Sequence, residues 1–310
     1  MPIPAPLLSR VAAFLFAAAF ATLAAAQAPQ PPEVAAKSYL VLDLTTDQTL
    51  AERNADASID PASLTKLMTA YIVFQALREK KLTLEQELPV SMRAWAERKG
   101  GGSLMFIDTT MHPKVDELLR GLIVQSGNDA AVALAEHFGP RVALNGDAAG
   151  DPVRQFVVEM TRRARGLGLK VTSFADPNGL SQQNQSTAAE LATLTWHAMQ
   201  NTQFRQYVQT RRHECEVTGA DGEKRSVTWT NIQRLLDIEG YDGVKTGTTT
   251  PAGSCLVASG HRGDDRLIVV VLGSTSTDGR YADARNLFRW AWLARGHRPE
   301  GPTVGPGGGR

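Results

Sequence analysis

Leu267-Ile268-Val269-Val270-Val271-Leu272 is apolar without interruption and mostly β-branched. A run with no polar alternation predicts a central strand covered on both faces. Upstream, His213–Thr218, Ser226–Thr230 and Ser254–Ser259 also read as strands. At the other end of the chain, Tyr39–Leu44 and Thr49–Glu52 flank a turn at Thr46-Asp47 and read the same way. Between these blocks the period is helical. After Asp60-Pro61-Ala62-Ser63, the residues Leu64, Leu67, Met68, Tyr71, Phe74 and Leu77 predict a buried helix starting at or just before Ser63. Val115–Ser126, Asp129–Phe138, Val153–Leu167 and Ala188–Met199 predict four more, and Lys99-Gly100-Gly101-Gly102-Ser103 a flexible loop. Arg280–Ala294 predicts a closing amphipathic helix that partly buries Leu287, Phe288, Trp290 and Trp292. Strands at both ends with helices between them predict one α/β (α+β) sandwich. Its terminal segments share an antiparallel sheet, with helices packed on it and a helical lobe beside it.

The ends of the chain read differently from this body. Arg10 is the only charge in the first 28 residues, Val11–Ala26 is almost wholly apolar, and Ala24-Ala25-Ala26 fits a small-residue cleavage site. Residues 1–26 therefore read as a secretory signal peptide. The apolar run falls short of the ~20 residues that span a bilayer. Residues 27–37 read as a Pro/Ala-rich linker, 38–295 as the folded domain, and 296–310 as a disordered Gly/Pro tail. Removal of residues 1–26 takes away one Arg and no acid, leaving 32 basic against 32 acidic residues. Charge this balanced, with no dense basic run, argues against a nucleic-acid partner. Cys215 and Cys255 both fall in predicted strands. They could form one disulfide in an oxidising compartment or stay as two unpaired thiols. Neither belongs to a CxxC pair and the six histidines are scattered, so no metal or other cofactor is expected.

Three short motifs carry chemistry. In Ser63-Leu64-Thr65-Lys66, residues three apart share a helix face, so the lysine amine can approach the serine hydroxyl. A serine is a weak nucleophile until a base takes its proton, and a lysine serves only if desolvation or nearby positive charge leaves it neutral. Ser126-Gly127-Asn128 offers a hydroxyl and a carboxamide near a helix end, to relay a proton and hold a substrate amide. Lys245-Thr246-Gly247-Thr248 offers a cation and two hydroxyls for a carboxylate, and a glycine that lets a ligand backbone lie along an edge strand. Each has a bland reading as helix face, turn or strand end. The set is far stronger than its members. The motifs follow in the order S-x-x-K, S-x-N, K-T-G, with 63 residues from Ser63 to Ser126 and 119 from Ser126 to Lys245.

In that order the motifs mark penicillin-binding proteins and class A β-lactamases. The chain resembles the low-molecular-weight D-alanyl-D-alanine carboxypeptidases from about Tyr39 to Ala294. Further matches are Asp60-Pro61-Ala62, Gly102-Ser103-Leu104-Met105-Phe106, Arg120-Gly121-Leu122, Gln125 through Asp129, and Asp242-Gly243-Val244. The resemblance implies a penicillin-binding fold and removal of the terminal D-alanine from peptidoglycan pentapeptides, with β-lactams as inhibitors. It implies Ser63 as the acylated residue, Lys66 as its base, Ser126 as proton shuttle and Asn128 as a holder of the acyl side. Lys245, Thr246, Gly247 and Thr248 would engage the terminal carboxylate, with Arg280 nearby. The backbone N–H groups of Ser63 and Thr248 would form the oxyanion hole. Two departures stand out. The family's second all-β domain and C-terminal amphipathic anchor are not seen after the closing helix, so an exported enzyme without a stable membrane anchor is expected. Thr248 also stands where several relatives have His.

Rival readings share the motifs. A DD-endopeptidase has the same chemistry. A class A β-lactamase adds a Glu-x-x-x-Asn loop after the second motif, but here Glu159 is followed by Met-Thr-Arg-Arg inside a predicted helix. An inactive peptidoglycan-binding scaffold would show a broken motif, and none is broken.

Overall fold

The strand that contains Leu267–Leu272 is the middle member of a five-stranded antiparallel sheet. The computed structural model describes residues 30–142, 150–218 and 222–300. The proposed signal peptide, residues 27–29 of the linker and the tail from 301 onward lie outside the described residues. In chain order the body opens with β1 (Ser38–Asp43), β2 (Gln48–Arg53) and a 3₁₀ turn, Ala62–Thr65. Seven helices follow: α1 (Lys66–Arg78), α2 (Met92–Ala96), α3 (Val115–Val124), α4 (Asn128–Val142), α5 (Pro152–Gly166), α6 (Ala188–Met199) and α7 (Thr202–Val208). The last third holds β3 (Arg212–Thr218), β4 (Lys224–Thr230), β5 (Tyr241–Thr249), β6 (Gly253–Arg262), β7 (Asp265–Ser274) and α8 (Thr277–Ala294).

The sheet order is β2-β1-β7-β6-β5, so the two ends of the sequence meet at the β1–β7 pair, with Val41 opposite Val269. Successive side chains of a strand point to opposite faces, and β7 uses both. Leu267, Val269 and Val271 pack with Leu287, Phe288, Ala291 and Trp292 of α8. Ile268, Val270 and Leu272 belong to the larger core with α1 and α6. All six of the strand's residues from 267 to 272 are fully buried, and each such side chain contributes roughly 1.5–3 kcal/mol. The unbroken apolar run is thereby explained: neither face of β7 meets water. On the far side of the sheet, α1 runs through the centre of the helical lobe against α3, α4, α5, α6 and α7.

Several boundaries differ from expectation. The helix after Pro61 does not begin as α-helix at Ser63. The stretch Ala62–Thr65 is a 3₁₀ turn and α1 starts at Lys66. Ala62 has φ +49, and its N–H donates to Asp60 Oδ1 at 2.8 Å, which tightens the entry. The helix expected to reach Ser126 stops at Val124, because Ser126 takes φ +61. Helices α2 and α7, of five and seven residues, were not expected. Strands β3 and β4 form their own two-stranded sheet. Cys215 on β3 and Cys255 on β6 are therefore in different sheets, and both are free thiols. The described start of the expected disordered tail is tied down. His297 meets Asp265 at 2.7 Å, and the Glu300 carboxylate accepts from Arg285 Nε and Nη2 at 2.7 and 2.8 Å.

Candidate active site

Three elements converge at the sheet's β5 edge: the 3₁₀ turn with Ser63, the bend between α3 and α4 with Ser126 and Asn128, and β5 itself. In a 3₁₀ turn residues i and i+3 eclipse, so Ser63 and Lys66 are stacked more directly than on an α-helix. The Lys66 Nζ lies 3.1 Å from Ser63 Oγ, 2.7 Å from Asn128 Oδ1 and 2.6 Å from the Asn178 carbonyl oxygen. A neutral amine has two N–H donors and one lone pair. With the two carbonyl oxygens taking the N–H groups, the lone pair is left for the Ser63 hydroxyl proton. Lys66 is 1% exposed. Burial lowers its ammonium to about 7, against the opposing pull of the Asp176, Asp129 and Glu97 carboxylates.

Ser126 stands outside regular helix in the left-handed region, which turns its hydroxyl toward β5. Lys245 Nζ donates to Ser126 Oγ at 2.8 Å and to the Thr246 carbonyl at 3.1 Å. Lys245 is 3% exposed, not at an open strand end. Burial pushes its ammonium well below the ordinary value, helped by the charges of Lys66 and Arg280. Desolvation is the main cause for both amines, and a charge on either one disfavours a charge on the other.

Strand β5 approaches the nucleophile turn very closely. A Cβ on Gly247 would sit 3.0 Å from Pro61 O, 3.1 Å from Ser63 N and 3.2 Å from Ala62 Cβ. Glycine lets the backbone that carries Thr248 pass beside the Ser63 N–H, and any side chain would push the turn back by a few tenths of an ångström. Opposite it, Gly179 has φ +89, and a Cβ there would be 2.0 Å from Ala62 O. Arg280, on the first turns of α8, donates to Thr248 Oγ1 at 2.8 Å and to Gly247 O at 3.3 Å. The residues singled out by sequence are therefore one constellation, Arg280 included. Asn128 Nδ2 and Arg280 Nε are buried without a hydrogen-bond partner among the described residues.

Other contributors had no motif. Asn178 supplies a carbonyl to Lys66. Asp176 shapes that loop by accepting the N–H groups of Gly179 at 2.6 Å and Asn178 at 3.2 Å. Asp129 accepts from Met105 and Phe106, both at 2.9 Å, and from Ile107 at 3.2 Å, pinning the strip that follows Ser103. The Asn128 N–H in turn donates to Ser103 O at 2.8 Å. Glu159, the residue weighed as a β-lactamase glutamate, is on α5, its carboxylate bonded to Arg162 and to Arg163 at 2.6 Å.

A serine beside a buried lysine, a second serine–lysine pair and a strand edge next to the first serine make a site of the penicillin-binding, serine acyl-transfer type. The chain belongs to the D-alanyl-D-alanine carboxypeptidase family, whose profile matches residues 25–276. It is 40% identical over 273 residues to D-alanyl-D-alanine carboxypeptidase DacD of Escherichia coli K12, covering 84% of this chain and 64% of that relative. To DacC of the same organism it is 35% identical over 284 residues, 90% of this chain and 67% of the relative. The chain thus spans about two thirds of the length of these relatives. Among solved structures, the Streptomyces K15 DD-transpeptidase superposes with TM-score 0.78 at 31% identity, over 86% of this chain and all of that one. Penicillin binding protein 6B from Escherichia coli gives 0.73 at 38% identity, over 85% of this chain and 79% of that one.

Proposed function

We propose that the chain is a penicillin-sensitive serine D-alanyl-D-alanine carboxypeptidase that trims peptidoglycan pentapeptides through an acyl-enzyme on Ser63. The observation that carries this reading is Lys66 Nζ, buried and titrating at about 7, at 3.1 Å from Ser63 Oγ. Neutral Lys66 takes the hydroxyl proton as Ser63 Oγ attacks the carbonyl of the penultimate D-alanine. The oxyanion forms between the N–H groups of Ser63 and Thr248. Losing one such donor typically costs ~10²–10³ in rate. The buried Asn128 amide holds the acyl side of the substrate, and Lys245, Thr246, Thr248 and Arg280 receive the terminal carboxylate. Ser126 passes a proton from the Lys66 side to the leaving nitrogen, so D-alanine departs as a neutral amine. Water then attacks the ester, and the shortened peptide and the Ser63 hydroxyl are released.

A deacylating carboxylate of the β-lactamase kind has no support, since Glu159 is committed to two arginines. The likeness to a structure named a DD-transpeptidase makes an amine acceptor a possible replacement for water at the same ester. The test is mass spectrometry of products from a pentapeptide, with and without an added amino-acid acceptor. Loss of one D-alanine is expected in both. An uncut pentapeptide contradicts the reading, and a cut inside a crosslink alone makes the enzyme an endopeptidase. We place the enzyme outside the cytoplasm, with residues 1–26 as a cleaved signal peptide. No helix among the described residues is long and apolar enough to cross a membrane.

A further inference from the structure

We infer that Glu97 is a positioning residue for the general base: through the Asn178 side chain it fixes the carbonyl that orients Lys66. The inference rests on the assignment of Lys66 as base. Glu97 follows α2 directly, in a short 3₁₀ turn that leads into the Gly100–Gly102 loop. Its Oε2 accepts from Asn178 Nδ2 at 2.9 Å. Asn178 is 3% exposed, and its main-chain oxygen takes Lys66 Nζ at 2.6 Å, the shortest of the three Lys66 contacts. One carboxylate thus ties the loop before Ser103 to the loop behind Lys66. Without that tie the Asn178 side chain loses its carboxylate partner, and the peptide unit that carries its carbonyl is held from the other side alone, by Asp176 on the Gly179 N–H, so the Lys66 lone pair is held less firmly toward Ser63.

The same carboxylate also acts on charge. Lys66 is faced by Asp129 from α4, by Asp176 from the 175–181 loop, by Glu97 from the turn after α2, and by Lys245 from β5, with Arg280 beyond it. Asp129 and Asp176 are occupied by backbone N–H groups of their own surroundings. Glu97 favours the ammonium form of Lys66 and so limits how much of the base is neutral near pH 7. Its own pKa is raised by burial and then by Asp176, while Lys66 opposes this.

Two variants separate the roles. Glu97→Gln keeps an oxygen for Asn178 and removes the charge, so the acid limb of the penicillin acylation rate should move to lower pH, by about half a unit or more. Its plateau rate should stay within about threefold of wild type. Glu97→Ala and Asn178→Ala both cut the tie. Each should lower the plateau on the order of 10-fold, and the double variant should be no worse than either alone. Acylation and D-alanine release are measured side by side. Loss of D-alanine release in wild type would refute the carboxypeptidase reading without touching the acylation profile. An acid limb in Glu97→Gln that superimposes on wild type overturns the inference. So does wild-type acylation by Glu97→Ala with an unchanged melting temperature. If the alanine variants fail to fold, the Gln profile decides alone.

Discussion

Lys245 Nζ and Ser126 Oγ are 2.8 Å apart across 119 residues of sequence, and Lys66 and Ser63 make the matching amine–hydroxyl pair at 3.1 Å. In the proposed mechanism the two pairs divide the proton's path, with one end at the nucleophile and the other at the leaving group. Removing the Ser126 hydroxyl should therefore reduce acylation by ~10²–10⁴, the usual range for a lost acid–base group. Ser126 has φ +61, so Ser126→Gly relieves backbone strain while Ser126→Ala keeps it. Glycine should be at least as stable as alanine and equally slow. A fast glycine variant would show that position 126 matters for backbone shape alone.

Acylation should rise with pH through a midpoint near 7, because Lys66 must be neutral to accept a proton and burial places its titration there. Lys66→Arg cannot lose its proton in this range and should be nearly inactive at every pH from 6 to 9. A stopped-flow pH profile of both proteins checks this.

The same burial carries a stability consequence with a definite sign. Folding lowers the Lys66 pKa from 10.5 to about 7. The unfolded chain then binds the proton more tightly, and the native state is penalised fully below about pH 7 and progressively less toward pH 10.5. Lys66→Met should raise the melting temperature at pH 7, and the gain should shrink by pH 10. A gain that grows with pH contradicts the assignment.

Burial first, and then the charges of Lys66 and Arg280, hold the Lys245 ammonium below its ordinary value, so an incoming carboxylate should raise it and favour the protonated form. Substrate binding is expected to take up protons, seen as a binding enthalpy that changes between buffers of different ionisation heat. Lys245→Ala should abolish the uptake and weaken discrimination between acid-ended and amide-ended peptides by about 10-fold or more. Lys245→Arg should retain part of it.

Close backbone approach makes two glycines unequal. A Cβ at Gly179 meets Ala62 O at 2.0 Å with φ +89, whereas at Gly247 the nearest contacts are 3.0–3.2 Å. Gly179→Ala should destabilise the fold by several degrees in melting temperature, and Gly247→Ala should remain folded but acylate on the order of 10-fold more slowly.

What the sequence exposed and what it hid have physical reasons. Strand β7 was legible because burial on both faces leaves no polar residue between Leu267 and Leu272. The contact between Ser63 and Lys66 was legible because a three-residue spacing puts amine and hydroxyl on one face, and Arg280, expected only near the carboxylate pocket, bonds to Thr248. Asn178 was hidden because its contribution to Lys66 is a carbonyl oxygen, which every residue possesses. Gly179 and Asp176 act by shaping a loop, which no side-chain period reports. Helices α2 and α7 are too short to display a period. The 3₁₀ start at Ala62 is held by local hydrogen bonds, from the Ala62 N–H to Asp60 Oδ1 and from the Leu64 N–H to Pro61 O. The lowered pKa of Lys66 and of Lys245 depends on burial, which spacing alone does not give.

The central claim is that Ser63 is the nucleophile, activated by the amine 3.1 Å away. Its most direct test is mass spectrometry of the intact protein and of its peptides after incubation with benzylpenicillin. One adduct is expected per chain, on the peptide that contains Ser63, and none on Ser63→Ala. Labelling of Ser63→Ala at the wild-type level, or an adduct confined to a peptide without Ser63, would contradict it.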